Sequence, residues 1–220
     1  MSFTDEKLQI MMDMQDTLNS KLNKDWITQD WDWSLAIIDE CMEIHGHLGW
    51  KWWKDTASYK QGVTDKNRKQ VQLEVVDVWH FVLSALIAKG HTAEDIRKDF
   101  NSSNGDAIDI YQAVDWLMED AVLHSSPRLS FNSLLHHTGL TWDKLFEIYV
   151  GKFALNKFRW DNGYAEGSYE KSWLIPDVSL MYQEDNWYLE LILADFAEHG
   201  IEVTAEKVQA ALQSYYDRMN

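Results

Sequence analysis

Cysteine occurs once, at Cys41, and proline only twice, at Pro127 and Pro176. A single thiol excludes an internal disulfide framework and a cluster of zinc-bound thiolates. Positive charge is scarce: 20 Lys and Arg stand against 36 Asp and Glu, a formal charge of −16. Proteins that grip duplex nucleic acid aim an excess of Lys and Arg at phosphates, so that class of partner is excluded. A nucleotide ligand is not, because a bound cation reverses the local charge of an acidic site. No uninterrupted apolar run approaches the ~20 residues of a membrane helix. The start, MSFTDEKLQIMMDMQD, lacks the basic beginning and apolar stretch of a secretion signal. A cytoplasmic protein without membrane contact is expected.

What the chain does contain is apolar surface, 45% of its residues, with 12 Trp and 9 Tyr. A large core and a single domain over 1–220 follow for this length. Apolar residues recur at spacings of three and four, the helical signal. They predict helices at roughly 4–22, 31–48, 70–89, 92–101, 106–124, 130–138, 142–161, 185–199 and 204–218. Gly49, Gly90, Gly139, Gly163 and Gly200 fall where these helices should stop, and Thr92, Thr141 and Thr204 where N-caps belong. Thr92 with Asp95 reads as a capping box. The stretches 55–69 and 163–183 read as loops. The fold class is all-α, a helical bundle.

Within the segment 70–89 the sequence is apolar all round, which marks a buried helix. Glu74 and Asp77 nevertheless sit in its middle, three apart and so on one face. Ionised carboxylates are rarely buried unless paired or bound to a metal. A second pair, Glu40 and Glu43, lies in the helix at 31–48. Either pair alone reads as a solvated stripe; facing each other they make an oxygen-rich site of the kind a hard cation such as Mg²⁺ takes, bridging carboxylates to phosphates.

Basic residues concentrate in two islands. Residues 51–69 hold six basic and two acidic residues, a net +4, and residues 144–171 hold five and four, a net +1. The first contains Trp50-Lys51-Trp52-Trp53-Lys54, where indoles that can stack a base interleave with ammonium groups. At least one of these three Trp is expected in a core turn. The second contains Lys152, Asn156 and Arg159, spaced four, three and seven so as to share one helical face, suited to clamping phosphates. His45 and His47, two apart, do not share a face and carry little weight. Cys41 reads as a small buried hydrophobe. The C-terminal helices, with Trp187, Tyr188, Leu193 and Phe196, read as packing surface.

The set Glu40-x-x-Glu43, Trp-Lys-Trp-Trp-Lys, Glu74-Val-Val-Asp77-Val-Trp-His80-Phe81 and Gly151-Lys-Phe-Ala-Leu-Asn156-Lys-Phe-Arg159, followed by Gly163-Tyr164, resembles the dimeric all-α dUTPases of the all-α NTP pyrophosphatase superfamily. That resemblance implies a rigid catalytic helical core with a more mobile helical and loop part. It implies Mg²⁺-dependent conversion of dUTP, and of dUDP, to dUMP by attack of a metal-activated water, releasing pyrophosphate or phosphate. Glu40, Glu43, Glu74 and Asp77 would hold two or more Mg²⁺, for which Mn²⁺ substitutes, with Glu40 also orienting and deprotonating the water. Gln15 and Asn19 would recognise uracil and sugar; Trp52, His80, Phe81 and Asn156 would line the nucleoside pocket, Phe81 as the wall against a 2′-hydroxyl. Lys54, Lys152, Arg159 and Lys171 would contact phosphates, with Tyr164 and Tyr169 closing the site. Trp160 and Ala165 depart from the more polar residues of the family. A homodimer is implied as well.

Three other readings stay open. One is a related pyrophosphatase for another nucleotide such as dCTP. Another is a carboxylate-bridged di-iron oxidoreductase, since Asp77-x-x-His80 imitates half of a Glu-x-x-His arrangement. The third is a non-enzymatic helical scaffold, which leaves Glu74 and Asp77 without a purpose.

Overall fold

The computed structural model of the chain describes residues 4–102, 105–175 and 181–218. Pro176 and the rest of 176–180, within the expected loop 163–183, lie outside the described residues. Among those described, nine α-helices form, one for each periodic segment: α1 Asp5–Leu22, α2 Trp33–Leu48, α3 Arg68–Ala88, α4 Ala93–Asn101, α5 Ile110–Val122, α6 Arg128–Thr138, α7 Trp142–Asp161, α8 Asp185–Glu198 and α9 Ala205–Tyr216. The fold is all-α. A 3₁₀ turn at Trp26–Thr28 and one antiparallel hairpin, β1 Ser172–Leu174 with β2 Tyr182–Glu184, were not expected. Three-residue strands are too short to show a period of two, so pairing rather than pattern creates them.

Helix ends follow local chemistry. The Thr92 hydroxyl accepts from Asp95 N while the Asp95 carboxylate accepts from Thr92 N, the reciprocal capping box. Thr141 and Thr204 accept from Lys144 N and Lys207 N. Asp109 caps α5 through Gln112 N, so that helix starts later than 106, and Asp32 caps α2 through Ser34 N. At the other end of α2, Gly49 has φ +77, and a Cβ there would meet the Ser58 carbonyl oxygen at 1.9 Å. Only glycine closes that turn.

The chain divides into two compact units, Met1–Phe146 and Glu147–Asn220, with the boundary inside α7. In the first, α3 is the central element: α1, α2 and α6 all pack on it, and α5 packs on α2 and α6. Val71, Val75, Val76, Val78, Trp79 and Leu83 are fully inaccessible, each such side chain contributing ~1.5–3 kcal/mol of burial. Trp79 meets Phe100, Phe131 and Trp142 at centroid distances of 5.3, 4.8 and 5.3 Å. By length and composition α3 is apolar enough to cross a membrane, yet 67% of that stretch is buried inside the fold, as in a core helix.

The second unit holds most of α7, the hairpin, α8 and α9. Gly151 lets α8 approach α7, for a Cβ there would meet Leu189 Cδ1 at 3.0 Å. Phe158, Tyr169, Trp173, Tyr188 and Tyr216 form an aromatic core, with Trp173–Tyr188 at 5.1 Å and Phe158–Tyr216 at 5.4 Å.

Candidate active site

Packing of α2 on α3 joins residues separated by 34 positions. One ligand oxygen from each of Glu40, Glu74 and Asp77 lies within 4.8 Å of the others. Glu74 is 8% exposed and Glu40 and Asp77 are half-buried. At an effective dielectric of about 20, each such pair of charges repels by roughly 3 kcal/mol. A hard cation relieves that repulsion, and an all-oxygen donor set is what Mg²⁺ or a similar ion takes. The residues fit a divalent cation. Glu43, the fourth expected carboxylate, is exposed and stands outside the group of three. Burial of its carboxyl, then the charges of Glu74, Asp39 and Asp77, push its pKa up, while His47 pulls it down. Glu43 thus senses the cluster without joining it.

No histidine belongs to the group of three found among the described residues. His80, the half-motif of the di-iron reading, is buried and turned to α1, where its Nδ1 donates to Gln15 Oε1 at 2.7 Å. Gln15 Nε2 donates to Asn19 Oδ1, Asn19 Nδ2 to Ser84 Oγ, and Ser84 Oγ to the His80 carbonyl. The order of donors fixes the orientation of both amides and makes His80 Nδ1 the donor to Gln15. Gln15 and Asn19, 4% and 5% exposed, are therefore bonded within the protein and hold His80 in place. Phe81 sits one step along α3 with its ring 6.5 Å from Trp33.

The string after α2 departs from expectation. None of Trp50, Trp52 and Trp53 is buried: Trp50 is half-buried, and Trp52 and Trp53 are 58% and 54% exposed. They pack on one another, Trp50–Trp53 at 5.1 Å and Trp52–Trp53 at 5.7 Å, each edge to face. Lys51 lies over the Trp50 ring, and Lys54 is exposed. Two residues without an expected role secure the following loop. Asn67 donates to the carbonyls of His47 and Gly62, both at 2.9 Å, and accepts from the Thr64 amide and hydroxyl. Tyr111 donates to the Leu48 carbonyl and accepts from Gly62 N. Tyr111 does not signal itself in sequence, because its partners are distant main-chain atoms.

His47, which carries little weight in the sequence, sits beside the cluster. Its Nε2 lies 3.2 Å from Glu74 Oε1. The hydrogen bond to Glu74 raises the imidazole pKa, burial lowers it, and the charges of Glu74 and Glu43 raise it again; the net direction is up. The spacing Glu40, Glu43, His47 is i, i+3, i+7, one face of α2, which was the available signal.

In the second unit, the face Lys152, Asn156, Arg159 forms as spaced. Arg159 Nη1 donates to Asn156 Oδ1 at 3.1 Å. Its Nε and Nη2 donate to the two oxygens of Asp185 at 2.8 and 2.7 Å. Tyr169 is buried and donates to Asp185 Oδ2 at 2.8 Å; burial first, then Asp185, pushes its phenol far above the usual range. Lys152, 3% exposed, donates to Asn186 Oδ1. Tyr164 is exposed, with Lys171 over its ring and Trp160 6.2 Å away. Ala165 is exposed. Asp185 and Asn186, at the start of α8, had no expected role; they grip the very cations that the sequence singles out.

A cavity of about 470 Å³ opens elsewhere in the first unit, between the start of α2 and the end of α3, lined by Trp26, Trp31, Trp33, Leu86 and Lys89 among others. None of the candidate residues lines it.

Comparison with known proteins agrees with the carboxylate geometry. The family described as dUTPase matches residues 7–164, which include the carboxylates, the Trp-Lys string and the Lys152–Arg159 face. A dCTP pyrophosphatase of Enterobacteria phage LZ5 is 26% identical over 137 residues, covering 46% of this chain and 78% of its own. With most of its length matched by the family and three of the family-type carboxylates converging on one point, the chain belongs to the all-α dUTPase family of nucleotide pyrophosphatases.

Proposed function

We propose that the protein hydrolyses dUTP, and dUDP, to dUMP with Mg²⁺. The observation that carries this reading is the convergence of Glu40, Glu74 and Asp77 in a chain of this family. These three residues would hold the cation, with Glu43 beside them. A bound Mg²⁺ supplies charge neutralisation at the phosphates and lowers the pKa of a water. Phosphoryl transfer asks the protein chiefly for positioning. Glu40 then orients and accepts the proton of the attacking water. His80, held by Gln15, lines the nucleoside pocket, and Phe81 excludes a 2′-hydroxyl by bulk. Trp52 and Lys54, both exposed, are free to meet a nucleotide. Lys152, Asn156, Arg159, Tyr164, Tyr169 and Lys171 are proposed as substrate contacts on their family motif. The reading extends to Mn²⁺ as a substitute ion and to a cytoplasmic homodimer, whose mass by sedimentation is twice that of the chain.

A second reading, hydrolysis of dCTP, is favoured by the phage relative's name. Uracil and cytosine exchange donor and acceptor at two ring-edge positions, and a site bonded to one base rejects the other because buried polar groups are left unpaired. Initial rates on dUTP, dUDP, dCTP and UTP with Mg²⁺ or EDTA separate the readings. dUTP is expected fastest, with dUMP and pyrophosphate as products and no turnover in EDTA. A faster rate on dCTP replaces the uracil reading, equal rates on all remove specificity, and no rate on any of them ends both.

A further inference from the structure

We infer that His47 is a positioning residue for the metal site: by donating from Nε2 to Glu74 Oε1 it holds that carboxylate in place beside Glu40 and Asp77. The inference rests on the metal reading above and extends it to a residue outside the carboxylate set. Three observations support it. First, Glu40 and His47 stand two turns apart on one face of α2, and that face meets Glu74 on α3 across a distance of 3.2 Å from ring nitrogen to oxygen. Opposite a carboxylate, which only accepts, the ring nitrogen donates.

Second, the histidine is itself held. Its backbone carbonyl accepts from Gln61 Nε2 at 3.0 Å and Asn67 Nδ2 at 2.9 Å. Asn67 is in turn saturated by Gly62 and Thr64. The loop between α2 and α3 therefore pins the end of α2 that carries the imidazole. Third, Glu74 is the buried member of the cluster and His47 is about one-third exposed by side chain, against 10% for Glu74. A glutamate has three side-chain torsions, and ordering them costs conformational entropy. A carboxylate already restrained by a donor loses less on meeting a cation. Partners that orient metal ligands in this way change metal affinity by roughly 10–100-fold when removed.

The test uses the full chain and Mn²⁺ alone, without nucleotide, with free ion read by electron paramagnetic resonance. Wild type, His47→Gln, His47→Leu and Glu74→Gln are compared. Leucine keeps bulk and cannot donate; glutamine places an N–H near the position of Nε2. His47→Leu is expected to weaken Mn²⁺ binding at least tenfold, and His47→Gln to recover most of that loss. The Mg²⁺ concentration giving half-maximal turnover should rise by the same factor in His47→Leu. Should His47→Leu lose its helical circular dichroism, His47→Ala takes its place. Unchanged binding in the leucine or alanine variant overturns the inference while leaving the metal reading intact, provided Glu74→Gln still abolishes binding. Tighter binding would show that the imidazole competes with the cation and overturns it too. A wild type that binds Mn²⁺ no better than Glu74→Gln defeats the metal reading itself, and the inference with it.

Discussion

Asp185→Asn should destabilise the second unit far more than a one-atom change suggests. The Asp185 side chain is 1% exposed and accepts three bonds: Arg159 Nε, Arg159 Nη2 and the Tyr169 hydroxyl, at 2.8, 2.7 and 2.8 Å. Asparagine keeps one acceptor and turns an NH₂ donor against other donors. The Arg159 side chain, only 12% exposed, then loses the carboxylate that takes two of its N–H groups. Breaking a buried pair on one side costs about 3–5 kcal/mol, because the remaining ion is left uncompensated. For a chain of this size that corresponds to a fall in melting temperature of roughly 6–20 °C. Urea unfolding followed by circular dichroism measures the first figure and a thermal melt the second.

The controls separate charge from packing. Tyr169→Phe removes one bond to the same carboxylate and keeps the ring against Phe158, so about 1.5–3 kcal/mol is expected. Arg159→Met combined with Asp185→Leu removes the pair altogether, and replacing a buried ion pair by apolar side chains is often close to neutral. A double variant more stable than Asp185→Asn alone is therefore the diagnostic result. If Asp185→Asn lies within about 1 kcal/mol of wild type, the pair contributes little and the reasoning from burial fails.

Other consequences are open to simpler measurements. Asp77→Asn and Glu43→Gln should lower turnover of dUTP by at least a hundredfold with unchanged helical circular dichroism, the second through the cluster it borders; retained activity removes either residue from the site. Adding Mg²⁺ at 100 times its dissociation constant should stabilise the wild type by about 2.7 kcal/mol and Glu74→Gln hardly at all, which paired melts with and without EDTA would show. Gly49→Ala should cost more than ~1 kcal/mol, since it forces a Cβ onto the Ser58 carbonyl at φ +77; an unchanged urea midpoint would contradict this. Cys41 is fully buried, and burial followed by the charge of Glu40 pushes its thiol from 9.0 up to about 12. The folded pKa is raised, so the neutral thiol stabilises the fold below pH 9 and that contribution is lost as pH rises toward 12. Thiol reagents at pH 8 should react only on unfolding, and a fast native reaction would refute that burial.

By itself the sequence determined the helices, because a period of three to four and residues such as Thr92, Thr204 and Gly49 act over a few positions. It also marked Glu74 and Asp77, whose charges contradict the apolar helix around them. The shared face of Lys152, Asn156 and Arg159 was visible too, being internal to one helix. Only tertiary structure decided which carboxylates meet. Glu40 joins Glu74 and Asp77 while Glu43, three residues on, stays exposed beside them, and that difference depends on the rotation of α2 against α3. Tertiary structure alone also gave His47 its partner, tied Gln15 and Asn19 to His80, and set Asp185 against Arg159. Each of these bonds joins residues 26 or more apart. A local pattern records which face a side chain takes on its own helix. What lies across from that face is fixed by how whole helices pack, and no spacing along the chain encodes it.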